Sequence, residues 1–247
     1  MSGSPLVPVG TSPAVPTIFR WEAVVNDSTW ERYGLAAGIL FVVLVVVAAL
    51  IGGAPPKPTD SATKIATYFR DNQDALKVGS YLNGLGAVTF LWFLGSLWGR
   101  LRRAEVTGSR LSVIALVGGV AALAFATVAN GVIAFVSLYA GDLGPGGAKA
   151  FYLLGTVFLA FTAFALVVFT SATSVMILRY PIVEKLLGWV GEGVAALWLV
   201  AGIGVADNNT AINTVGFIAF LIWAGWILIL TVLLLTRDPS DTATTKA

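Results

Sequence analysis

The chain has 247 residues, 57% of them hydrophobic and only 11% charged, with a mean hydropathy of +0.86; a soluble domain carries about 25% charged residues. Its net charge of +2 is too small to imply a nucleic-acid partner. With no Cys and no His, disulfides, thiol nucleophiles, zinc sites with nitrogen or sulfur ligands and His-ligated haem are excluded, and acid–base work falls to Asp, Glu, Lys or Tyr.

Residues 1–28 read as a flexible, Pro- and Ser-containing tail that ends in an aromatic interfacial segment with Phe19, Trp21 and, just beyond, Trp30. It lacks the basic region, apolar core and small-residue cleavage site of a signal peptide. Ser28-x-x-Glu31 matches a capping box, which predicts a first helix starting near Thr29.

A bilayer core about 30 Å thick needs roughly 20 apolar residues per spanning helix. Six runs meet this, at about 34–51, 80–99, 111–139, 151–177, 186–205 and 214–236. In lipid, unpaired backbone groups have no water to bond, so each run must be a helix; a barrel would show alternating ten-residue segments, and none is present. The expected fold is an all-α polytopic bundle over 29–237, with 238–247 a disordered tail. Short Gly/Pro and polar connections at 141–147 and 207–213 make consecutive helices antiparallel, as three hairpins.

In the first long connection, 52–78, Pro55, Pro56 and Pro58 end the first helix and Thr59 to Ser61 can cap another. Ile65, Ala66, Phe69 and Leu76 share one helical face. The segment therefore reads as a short amphipathic helix lying on the outer membrane surface, with a lid or partner-docking element as its functional version. Orientation follows from Lys and Arg. Ten flank the side that receives both tails and five the other, which places both termini in the cytoplasm.

Glu192 is the one acid well inside a span, and a charge at a helix centre costs about 2.5 to 3.5 kcal/mol on insertion scales. Three roles are open to it: a protonated group hydrogen-bonded inside the bundle, a partner for Lys185 or Arg179, or a proton or cation site in a transport cycle. Gly188, Gly191 and Gly193 around it permit close helix contact or a cavity. For transport, Asn83 and Asn130 would supply a polar wall. Helix three carries a ladder of Gly118, Ala122, Ala126, Asn130 and Ala134, a packing seam in which Asn130 can hydrogen-bond across the contact. This seam serves equally for an oligomer.

Trp92, Trp198, Trp223 and Trp226 fall near the middle of their spans, away from the interfacial belt where Trp usually sits. They read either as core filling opposite small residues or as an aromatic pocket for a lipid tail or a quinone. No span holds the central Lys of a retinal pigment or the Arg series of a voltage sensor. Walker-type phosphate loops and paired catalytic carboxylates are absent too.

The stretch 78–105 resembles a group of actinobacterial six-helix integral membrane proteins. The resemblance rests on Tyr-Leu-Asn-Gly-Leu-Gly at 81–86, Leu-Trp-Phe-Leu-Gly-Ser-Leu at 91–97 and Arg-Leu-Arg-Arg at 100–103, and extends back to Ile-Ala-Thr-Tyr-Phe-Arg at 65–70. It implies a bacterial plasma membrane and carries no activity, cofactor or site residue over. The leading expectation is a non-enzymatic subunit or accessory protein that packs against membrane lipids, a protein partner or a second copy. A small transporter using Glu192 is the alternative.

Overall fold

A computed structural model describes residues 27–105, 108, 110–206 and 210–237. The tail up to residue 26 and the tail 238–247 lie outside them. The described residues form seven α-helices and no strand: α1 Asp27–Ile51, α2 Ala62–Asp71, α3 Gln73–Ala104, α4 Arg110–Tyr139, α5 Gly144–Arg179, α6 Lys185–Ala201, extended by a 3₁₀ turn Gly202–Val205, and α7 Thr210–Thr236. All but α2 are long and apolar enough to cross a bilayer. The protein is a multi-pass helical membrane bundle. Six crossings put the start of α1 and the end of α7 on one side, here the terminal face; α2 and the α4–α5 turn lie on the opposite, loop face.

Local chemistry sets the helix ends. Ser61 caps α2 by accepting from the Lys64 N–H at 3.2 Å. Gly144 sits at φ +62, which favours glycine, and Pro145 opens α5 where a missing N–H costs nothing. α3 and α5 begin seven residues before their apolar runs, at Gln73 and Gly144. At 1.5 Å per residue they reach about 48 and 54 Å, well beyond the hydrocarbon core. The overhang on the loop face is anchored by Gln73, whose side-chain amide donates to the Ser137 carbonyl at 2.8 Å.

The six spanning helices form a ring in the order α1, α3, α4, α5, α6, α7, closed by contact of α7 with α1. Aromatic side chains fill its centre. Phe41 and Phe90 lie 4.6 Å apart between ring centroids, and Phe90, Phe169 and Trp223 contact one another at 6.0 to 6.3 Å. Phe90, Phe93, Phe169 and Trp226 are at most 2% exposed.

α4 and α5 lie close together at Gly118, where a Cβ would stand 2.7 Å from the Phe169 nitrogen. Gly118 and Ala122 are buried as expected, but Ala126, Asn130 and Ala134 are only half-buried. The ladder needs correcting because steps of four residues advance 400° and drift off the contact. The buried line alternates steps that average 3.5, through Ala115, Gly118, Ala122, Ala129 and Val136.

α2 forms as expected, with its apolar face in a different place. Ile65, Ala66 and Phe69 are buried against Val136, Ala140, Ala148 and Tyr152, so this face is covered by protein and not by lipid. Tyr152 donates to the Pro56 carbonyl at 2.5 Å, Tyr68 to the Gly52 carbonyl at 2.8 Å and Lys149 to the Asp60 carbonyl at 2.8 Å. The loop is a cap fastened to the α4–α5 hairpin.

On the terminal face, Glu31 departs from the capping-box reading. Its carboxylate accepts from Arg100 and Arg103 of α3, tying α1 to α3. Arg237 likewise ties the end of α7 to the α5–α6 loop, through Glu184 at 2.6 Å and the Ile182 carbonyl at 3.1 Å.

Candidate functional site

α6 carries Gly188, Gly191 and Gly193, and the first two let neighbouring helices come close. A Cβ on Gly188 would meet Leu178 at 2.8 Å and the Ser174 carbonyl at 3.1 Å. One on Gly191 would stand 2.0 Å from the Ser174 hydroxyl and 3.0 Å from the Trp226 ring. The α6 backbone therefore lies directly on α5 and under Trp226. Trp226 in turn donates its indole N–H to the Leu187 carbonyl at 2.9 Å.

This contact sets the position of Glu192. Seven residues past Lys185, it lies about 10 Å into the helix from the terminal face. Its helical neighbours divide by side. Gly188, Gly191 and Ala195 are buried, whereas Trp189, Gly193 and Ala196 are exposed. Glu192 falls on the border and is half-buried. Across the seam, Ser171 continues an outward stripe of α5 that includes exposed Phe164 and Val168. The Ser171 hydroxyl reaches both carboxylate oxygens, at 3.1 and 3.0 Å.

Of the three roles open to Glu192, the pairing with Lys185 or Arg179 is not made. Among the described residues every ion pair joins other groups. The observed arrangement is a carboxyl hydrogen-bonded to a hydroxyl on the rim of the ring. Further hydroxyls lie at similar depth elsewhere in the ring. Thr173 bonds back to the Phe169 carbonyl at 2.8 Å, while buried Thr170, Ser174 and Thr231 have no partner among the described residues.

Asn83 and Asn130 are not brought to this site. Each side-chain amide bonds back along its own helix, Asn83 to the Gly79 carbonyl at 3.1 Å and Asn130 to the Ala126 carbonyl at 2.9 Å. Asn130 thus makes no hydrogen bond across the α4 contact. Both sit in the loop-face halves of their helices, whereas Glu192 is nearer the terminal face. They do not form a polar wall with it.

The four mid-span tryptophans also separate. Trp198 and Trp223 lie 6.4 Å apart, and Trp223 and Trp226 both pack on Phe169 in the ring. Trp92 is 58% exposed on the outer face of α3 and stacks on Trp30 at 6.2 Å. Three fill the core; the fourth faces outward. Two concavities lie on that outer face, and neither reaches Trp198, Trp223 or Trp226.

Ser171 went unread in the sequence. Its signal is the run Thr-Ser-Ala-Thr-Ser at 170–174, five small residues, four of them hydroxylic, inside an apolar helix. Ser171 precedes Arg179 by eight residues and Glu192 follows Lys185 by seven, so both lie at one depth. No cluster of three or more metal-ligating side chains occurs among the described residues. No protein-family model, curated protein or solved structure matches the chain.

Proposed function

We propose that this protein is a non-enzymatic subunit or accessory component of a membrane assembly, joined to a partner's membrane helix at the α5–α6 seam. One observation carries this reading. The intramembrane acid stands on the rim with one hydroxyl donor among the described residues, while the ring centre is closed by Phe90, Phe169 and Trp223. A charged carboxyl costs about 2.5 to 3.5 kcal/mol at a helix centre and less nearer the end, and a Lys, Arg or amide donor on an adjoining helix offsets that cost. The seam supplies the approach: Gly193 beside Glu192 has nothing within 4 Å of where its Cβ would stand.

The membrane we infer is a bacterial plasma membrane, with the terminal face cytoplasmic. The ten-to-five division of Lys and Arg supports the orientation, and the likeness of residues 78–105 to actinobacterial membrane proteins supports the compartment. The alternative, a small proton- or cation-coupled transporter built on Glu192, draws less support. Its polar wall of Asn83 and Asn130 is bonded to its own helices, away from the acid.

Native mass spectrometry of the full chain, gently extracted from its own membrane, separates the two. The subunit reading expects a stoichiometric partner that Glu192→Leu releases. A chain that runs alone and carries proton or solute flux abolished by Glu192→Gln would establish transport instead.

A further inference from the structure

Across the ring from the α5–α6 seam lies the α1–α3 seam, and its outer face is concave. The main hollow has a volume of about 530 Å³ and is lined by Trp30, Glu31, Leu91, Trp92, Gly95, Ser96, Gly99 and Arg103. A smaller one of about 140 Å³ adjoins it at Trp30, Gly34 and Trp92. From Leu91 to Arg103 the groove follows twelve residues of α3, about 18 Å.

Polarity changes along that length. One end is apolar: Leu91, Trp30 and Trp92 are each at least half exposed, and the two indoles stack. The other end, on the terminal face, is lined by Arg103 and Glu31; with Arg100 also bound to Glu31, two guanidiniums meet one carboxylate and leave an excess of positive charge. Glu31 holds Arg100 and Arg103 in place, with Arg100 12% exposed. Arg103 is 58% exposed and lies over the groove floor, its Nη1 3.6 Å from where a Cβ on Gly99 would stand. A guanidinium fixed by a carboxylate, with N–H groups left over, is a preorganised donor to the oxygens of a phosphate diester.

We propose that the α1–α3 groove binds an anionic glycerophospholipid, with its phosphate on Arg103 and an acyl chain along Gly95, Trp92 and Leu91. Charge at one end and aromatic surface at the other match an amphiphile. The inference is independent of the role given to Glu192 on the far side of the ring.

Gly95 supplies a clean test, since a Cβ there meets nothing within 4 Å. The purified full chain is titrated with dioleoyl phosphatidylglycerol or dioleoyl phosphatidylcholine, and bound lipid is counted by native mass spectrometry. The wild type is expected to hold one phosphatidylglycerol about tenfold more tightly than phosphatidylcholine. Arg103→Gln removes that preference, and Gly95→Phe, which fills the groove, weakens binding of both lipids about tenfold. Equal retention of the two lipids by the wild type overturns the proposal without recourse to any variant. So does phosphatidylglycerol retention unchanged in a folded Gly95→Phe protein, or a protein chain found crosslinked into the groove in place of lipid.

Discussion

The Ser171 hydroxyl donates to Glu192 across the α5–α6 seam, 3.1 and 3.0 Å from its two carboxylate oxygens. Among the described residues no other side chain hydrogen-bonds this acid, so removing Ser171 leaves a half-buried carboxyl without a side-chain donor. Ser171→Ala is expected to destabilise the isolated protein by about 1 to 3 kcal/mol, whereas Glu192→Gln, which can still accept from Ser171, changes it by less. Thermal unfolding of the purified variants checks the order. Equal loss in both would place the stabilisation elsewhere.

The same seam depends on glycine at one position and not at its neighbour. A methyl at Gly191 would stand 2.0 Å from Ser174 Oγ and 3.0 Å from Trp226, while one at Gly193 meets nothing within 4 Å. Gly191→Ala should cost about 1 to 3 kcal/mol through forced separation of α5 and α6. Gly193→Ala should be neutral, or stabilising by up to about 1 kcal/mol through helix propensity. Matching melting temperatures for the two would contradict the packing described.

Glu105 governs a pH dependence. Burial raises its pKa, but the Ser112 hydroxyl and the N–H groups of Leu111, Ser112 and Arg110 outweigh this and hold it below the ordinary 4.5. A carboxylate whose folded value is depressed stabilises the fold above its unfolded value and loses that contribution as pH falls through the folded one. The melting temperature should therefore drop as pH goes below 4.5, and the Glu105 share of that drop should vanish in Glu105→Gln. Asp60, hydrogen-bonded to Lys64 and to the Lys57 N–H and also held low, contributes in the same direction from 3.8 downward. An Asp60→Asn background isolates the Glu105 effect.

The absence of Cys makes orientation directly measurable. Asp142 on the α4–α5 turn and Arg110 at the start of α4 are both exposed, on opposite faces. In intact cells a membrane-impermeant thiol reagent should label Asp142→Cys and spare Arg110→Cys until the membrane is opened. The reverse pattern would invert the topology.

The spans were legible because lipid leaves an apolar stretch of twenty residues no alternative to a helix. Their ends were less so. α3 and α5 start seven residues early, at Gln73 and Gly144, because hydropathy marks where a helix enters lipid and not where its hydrogen bonds begin. Glu31 matched a local capping pattern, yet the Arg100 and Arg103 it binds lie some seventy residues away, a separation that local motifs do not encode. Glu192 stood out as an acid in an apolar run. Ser171 did not, since a hydroxyl is ordinary in a membrane helix and only its depth relative to Glu192 marks it. The apolar face of α2 was readable, but whether protein or lipid covers it depends on the end of α4 and the overhanging start of α5. The exposed Trp92 and the core Trp223 look alike in hydropathy, and only the register of each helix in the ring tells them apart.

The proposed role of Glu192 is to join this bundle to another membrane chain. It is tested most directly by native mass spectrometry of the wild type and Glu192→Leu, each extracted from its own membrane and checked for unchanged helix content. A stoichiometric partner present in the first and lost from the second is the expected result. A wild-type protein that runs without a partner, or a partner retained equally by both forms, would contradict it.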